Sequence, residues 1–179
     1  MVRVTASARG RALYAERARE IAGAVPDPEM PMLTLVDLGV LRGVEVDDDG
    51  AVAVVLTPTY SGCPAIAEMR GEVDRRLREA GYRDVAIRTQ LQPAWTSDWI
   101  TPEGRRALAE HGVTPPGPAP RRGASGPVPL VLSTRRPPLA CPQCGSTDTE
   151  QSSRFAATAC KALWRCRACR EPFEHFKEI

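Results

Sequence analysis

The sequence predicts an α/β fold, a small mixed sheet packed by helices in the α+β manner, followed by a C-terminal zinc ribbon. Three observations predict it. Over residues 1–112 the hydrophobic period switches in the order helix, strand, strand, helix, strand, helix. Residues 113–138 hold eight prolines, four arginines and no acid, which marks a stiff linker. Five of the six cysteines then crowd into 29 residues with paired spacing. The expected organisation is an α/β domain at 1–112, a linker at 113–138 and a metal-bound ribbon at 139–179.

The elements follow in order. "RALYAERAREIAGAV", residues 11–25, puts Leu13, Arg17, Ile21 and Val25 on one helical stripe with Ala18 beside it, and Pro26 stops the helix. "PDPEMPML" is a rigid loop. "LGVLRGVEVD" turns to alternation, "DDDG" is a hairpin turn, and "AVAVVLTP" is the partner strand. In residues 64–80, Ile66, Met69, Val73 and Leu77 share a helical face. Pro64 suits the first helical position, and Gly81 suits the residue just past the end. "DVAIRTQL" is a third strand, expected parallel to the second because a helix connects them in a right-handed crossover. "PAWTSDW" is an aromatic loop. Thr101 is placed to cap a short helix that ends near Gly112. Within the linker, "VPLVL" has the character of a short strand.

Composition narrows the function classes. With 42% hydrophobic and 26% charged residues the chain is expected to be globular. No apolar run approaches the ~20 residues of a membrane span, and the basic start of the chain lacks the apolar core of a secretory signal. The expected location is cytoplasmic, without a membrane. Residues 1–112 carry 14 arginines against 17 acids, and the whole chain is only +2. That balance disfavours a nucleic-acid binder, whose affinity rests on clustered positive charge.

The tail supplies the most specific motif. "CPQC" provides Cys141 and Cys144, and "CRAC" provides Cys166 and Cys169, with 21 residues between the pairs. Each C-x2-C knuckle turns two thiolates toward one ion, and two knuckles complete a tetrahedron. A segment with so few aliphatic residues needs the metal to fold. Zinc suits four thiolates, and an iron–sulfur cluster uses the same set. Strands are expected near Glu150–Phe155, Lys161–Arg165 and Pro172–Phe176. Cys160 is either a small buried side chain or an accessory ligand. His175 reads as a packing or surface histidine.

Cys63 stands apart, in "LTPTYSGCPAIAEM" between the second strand and the second helix. At a helix N-terminus a thiolate is favoured by free N–H groups and by the helix dipole. Thr57, Thr59, Tyr60 and Ser61 surround it with hydroxyls, and Gly62 gives a ligand room. The expectation is a thiol more acidic than usual, able to hold metal; a buried structural cysteine is the alternative. Asp27, Glu29 and Asp37 could gather near it or serve as turn caps. Trp95 and Trp99 are either core plugs or anchors that contact a partner. His111 is the sole histidine in the first 112 residues, so a cysteine–histidine hydrolase is poorly supported.

"DPEMPMLTLVDLGVLRGVEV", "LTPTYSGCPA", "PAWTSDWITPEGRRAL" and "FAATACKALWRCRACREPFEHFK" together resemble the D-subunit family of the phenylacetyl-CoA epoxidase system (PaaD). The first half also resembles small α/β domains tied to iron–sulfur cluster assembly. The resemblance implies a non-catalytic accessory of the ring 1,2-epoxidase in aerobic phenylacetate degradation. It would assist iron or iron–sulfur maturation of the oxygenase or reductase subunits, its expected partners. It implies transient iron or cluster transfer at Cys63 with Asp27, Glu29, Asp37 and Thr57, and ribbon ligation by Cys141, Cys144, Cys166 and Cys169. One departure is at the end of the tail, where Glu178 follows "FK" in place of a further cysteine. The competing reading is a zinc-ribbon module that binds protein or nucleic acid. Homodimerisation is left open.

Overall fold

The computed structural model describes residues 8–120 and 139–179. Two units form, one of residues 1–95 with 99–104 and the other of residues 96–98 with 105–179. Among the described residues no helix is long and apolar enough to cross a membrane.

In the first unit, α1 (Ala8–Gly23) buries Ala18 and Ala22, and Val25 beyond its end is buried too, while Leu13 is 61% exposed. Of the expected stripe Val25 and the adjoining Ala18 are buried, Ile21 is half-buried, and Leu13 and Arg17 are exposed, so the buried face is rotated from it. Small residues win that face because the helix lies close: a Cβ on Gly23 would come within 2.6 Å of Val36 Cγ2. Tyr14 instead packs on Tyr82, with ring centroids 4.4 Å apart, and the Tyr82 hydroxyl donates to the Tyr14 carbonyl.

β1 (Leu41–Val46) and β2 (Val52–Leu56) form an antiparallel hairpin. Asp47 Oδ1 accepts from the Asp49 and Ala51 N–H groups in its turn, and Gly50 takes φ +86°. β3 (Val85–Thr89) runs parallel to β2, so the sheet order is β1-β2-β3. Val52, Val54 and Leu56 point to one face of β2 and are buried. α2 (Ala65–Glu79) adds Met69, Val73 and Leu77 to the core. Each such aliphatic side chain stabilises the fold by about 1.5–3 kcal/mol. Ala80 caps its C-terminus, and Gly81 follows at φ +98° as expected.

Asp37 ties the loop before β1 to the start of α3 (Pro102–Glu110). Its Oδ2 accepts from the Thr34 N–H at 2.9 Å and the Thr34 hydroxyl at 2.6 Å. Its Oδ1 accepts from the Thr101 hydroxyl at 3.3 Å, and its carbonyl accepts from the Thr101 N–H. Thr101 in turn caps α3 through the Gly104 N–H. The approach is so close that a Cβ on Gly104 would lie 2.8 Å from the Asp37 carbonyl oxygen. Trp95 is 2% exposed and donates its indole N–H to the Leu38 carbonyl. Of the two readings of Trp95, core plug and partner contact, the core plug is the one this geometry allows. Trp99 is half-buried under the Arg42 guanidinium, 3.6 Å from the ring centroid.

The second unit holds a four-stranded sheet of order β4-β7-β6-β5. β5 (Thr149–Ser153), β6 (Lys161–Cys166) and β7 (Pro172–Phe176) form an antiparallel meander. β4 (Val113–Thr114) pairs parallel to β7, at residues where the linker was expected to begin. The remainder of that segment from residue 121, with "VPLVL", lies outside the described residues. His175 is buried rather than on the surface. Its Nδ1 is 3.1 Å from the Thr114 carbonyl and its Nε2 is 3.2 Å from Glu178 Oε1. That imidazole first of all holds the Glu178 carboxyl down at about 2.

The knot around Asp37 leads to a stability prediction. Asp37→Ala strands the Thr34 N–H and releases Thr101, so we expect a loss of about 2–3 kcal/mol. The check is a lowered urea midpoint at unchanged slope; a midpoint equal to wild type would deny Asp37 its structural role.

Candidate functional site

Cys63 lies in the turn that links the end of β2 to α2. α2 begins at Ala65 with Pro64 as its capping residue, so Cys63 sits one position further out than expected. The N–H groups of Ala65 and Ile66 still favour its thiolate, as does the Tyr60 hydroxyl. Burial nevertheless outweighs them, and the nearby Asp27 carboxyl adds to it, so the thiol is held above its ordinary range. This reverses the expected acidic shift: the helix N-terminus is present, but tertiary burial and a facing carboxyl are stronger.

Asp27 is 4% exposed, and its Oδ1 accepts from the N–H groups of Glu29 and Met30, each at 2.8 Å. It is thus both a turn cap and a neighbour of the thiol. Glu29 is exposed and joins this turn through its backbone. Asp37 is drawn away, since both its oxygens serve Thr34 and Thr101. Thr57, the residue after β2, is 1% exposed, and among the described residues its hydroxyl has no hydrogen-bond partner. Of the five residues the family resemblance implied here, the structure brings Asp27 and Cys63 together and assigns Asp37 to the fold.

The second cluster is closed and symmetrical. The sulfurs of Cys141, Cys144, Cys166 and Cys169 all lie within 4.8 Å of one another, with Cys141–Cys169 at 3.7 Å and Cys144–Cys166 at 3.6 Å. Thiolates 2.3 Å from a tetrahedral ion would stand about 3.8 Å apart, so the set fits a metal. The two knuckles repeat one hydrogen-bond pattern: Cys141 N–H donates to the Ser146 carbonyl, and Cys166 N–H to that of Glu171. The residue after each knuckle is left-handed, Gly145 at φ 73° and Arg170 at φ 66°. Glycine at 145 suits that backbone. Arg170 was missed, although its place after "CRAC" matches that of Gly145 after "CPQC".

Electrostatics also asks for a cation. The Cys169 N–H is foremost in lowering Cys166 to about 7. The Glu171 N–H favours a Cys169 thiolate too, yet burial and the sulfurs of Cys144, Cys166 and Cys141 push that thiol up to about 12. Four thiolates therefore need a positive ion between them. Cys160 is not a fifth member. It lies just before β6, whose other end carries Cys166, so about 20 Å of strand separates them. Its sulfur is 3.1 Å from the Thr158 hydroxyl.

Two outcomes test these geometries. Cys144→Ser or Cys166→Ser should release one equivalent of metal and make residues 139–179 protease-sensitive, because metal binding and folding are coupled. Unchanged metal content and resistance in both would refute the cluster. For Cys63, alkylation in a variant ending at residue 120, where it is the sole cysteine, should have its midpoint above the ~8.5 of a free thiol. Asp27→Asn should bring that midpoint down; a midpoint below a free thiol's in the parent would contradict the dominance of burial.

Comparison with known proteins agrees with this division of chemistry. Residues 18–88 match the iron–sulfur cluster assembly protein family, and residues 125–177 match the PaaD zinc beta ribbon domain. The chain is 44% identical over 155 residues to a protein of Escherichia coli (strain K12) named as the D subunit of a 1,2-phenylacetyl-CoA epoxidase, covering 87% of each. It is 34% identical over 85 residues to an Fe-S protein maturation auxiliary factor of Porphyromonas gingivalis, covering 47% of this chain and 80% of that protein. The crystal structure of a DUF59 domain from Bacillus anthracis shares the fold at TM-score 0.53 and 21% identity, over 57% of this chain and 97% of that one. With a sheet that carries Cys63 beside Asp27 and a ribbon that gathers four cysteines, the chain belongs to the PaaD family, that of the phenylacetyl-CoA epoxidase D subunits.

Proposed function

We propose that this chain is a maturation factor that receives iron or an iron–sulfur unit at Cys63 and passes it to the oxygenase or reductase of a phenylacetyl-CoA epoxidase. The observation that carries this reading is the half-buried Cys63 thiol beside the buried Asp27 carboxyl. A thiol kept above its ordinary range stays protonated and unreactive at neutral pH. An arriving cation displaces the proton, because only the thiolate is a ligand. The N–H groups of Ala65 and Ile66 and the Tyr60 hydroxyl then steady the new charge. A soft sulfur beside a hard carboxylate suits iron. A site whose resting state opposes the thiolate also holds its cargo less tightly, as delivery requires. The relatives named for Fe-S maturation and as an epoxidase component support the same role.

In this reading the four-cysteine site holds zinc as a structural ion and takes no part in transfer. The chain turns over no substrate alone. Its two histidines are too few for the paired Glu-x-x-His motifs of a di-iron carboxylate centre. The test is co-expression of wild type or Cys63→Ala with the epoxidase subunits, followed by iron, sulfide and turnover per assembled complex. We expect the variant to lower all three about tenfold or more, in line with the 10- to 100-fold cost of losing even an outer partner of a metal. Full iron, sulfide and turnover with Cys63→Ala would sink the delivery role.

A further inference from the structure

The helices of the first unit account for one face of its sheet. On the opposite face the strand registers set Gly43 beside Val55 and Arg88, and Glu45 beside Ala53 and Ala86. Glu45, Ala86 and Arg88 are exposed, while Gly43, Ala53 and Val55 are half-buried. The middle of this face is therefore apolar and built mainly of small side chains. Its two edge strands carry opposite charges, an acid on β1 and a base on β3. Among the described residues neither the Glu45 carboxylate nor the Arg88 guanidinium has a hydrogen bond or ion pair.

We propose that this face is a homodimer interface, covered by the same face of a second copy of the chain. A two-fold axis parallel to β2 lays β1 of one protomer over β3 of its partner. Glu45 then meets Arg88 of the other copy, and the same pair forms again on the far side of the axis. The two residues stand one side-chain repeat apart along the strands, about 7 Å, a gap that a glutamate and an arginine bridge together. Packed sheets lie about 10 Å apart, and the small side chains of Ala53, Ala86 and Gly43 let the centres meet. A face with acid on one edge and base on the other matches itself under this rotation. An unrelated partner would need to present that pattern independently.

Three strands of five residues cover about 14 by 17 Å, roughly 240 Å² a side, well below the ~800 Å² a side of a standard interface. The dimer is accordingly concentration-dependent and weakened by salt. The experiment is sedimentation of the full chain with its metal, from micromolar to near-millimolar concentration, at low and high salt. Wild type should show a monomer–dimer equilibrium. Glu45→Arg and Arg88→Glu should each weaken it about tenfold, since each creates two like-charge contacts. The double variant Glu45→Arg/Arg88→Glu should regain most of the loss. Circular dichroism and metal content, unchanged in all three, exclude unfolding as the cause. A monomer at every concentration would overturn the proposal, as would a dimer indifferent to the single changes, or a double variant no tighter than the singles.

Discussion

Four sulfurs within 4.8 Å of one another cannot all be ionised without a cation among them, and the second unit is organised around that constraint. Around the ligands the apolar cluster is small: Ala162, Trp164 and Phe173 join the buried Cys141 and Cys166, with Leu139 packed against them. That end of the ribbon therefore depends on its cross-link. The knuckles tie the loop before β5 to the turn between β6 and β7. Once they are held, the ladder from Thr149 to Phe176 follows in register. The left-handed Gly145 and Arg170 are the backbone's share of that arrangement.

The first unit rests on a conventional core, and there two acids close in sequence are put to different uses. Asp37 spends both carboxylate oxygens on Thr34 and Thr101 and so fixes the entry to α3. Asp27 caps a turn with one oxygen and sets its charge near Cys63. Position along the chain does not distinguish them. What does is which partners the sheet and α2 bring within reach.

Cys63 shows the same competition in one side chain. The start of a helix favours a thiolate, and that local effect is present in the N–H groups of Ala65 and Ile66. Burial and Asp27 oppose it and prevail. A protonated resting thiol is better suited to exchange than to permanent ligation, which is why the sign of this shift matters to function.

Much was legible in the chain itself, because periodicity and spacing are local properties. The strands Val52–Leu56 and Lys161–Cys166, the α2 face of Met69, Val73 and Leu77, the Thr101 cap and the four ribbon cysteines each follow from residues a few positions apart. The buried side of α1 was legible only in Ala18 and Val25, since alanines such as Ala22 gain a face only when a neighbour approaches too closely for Leu13. The fate of Trp95 was not legible, since its indole finds the Leu38 carbonyl 57 residues away in sequence. By itself the sequence determined most of the elements, their order and the paired cysteines, for each depends on short-range geometry, whereas β4 lies where a linker was expected. The tertiary structure decided which acid joins the thiol and which way that thiol's proton equilibrium leans. Those outcomes depend on burial and on charges that distant segments bring together.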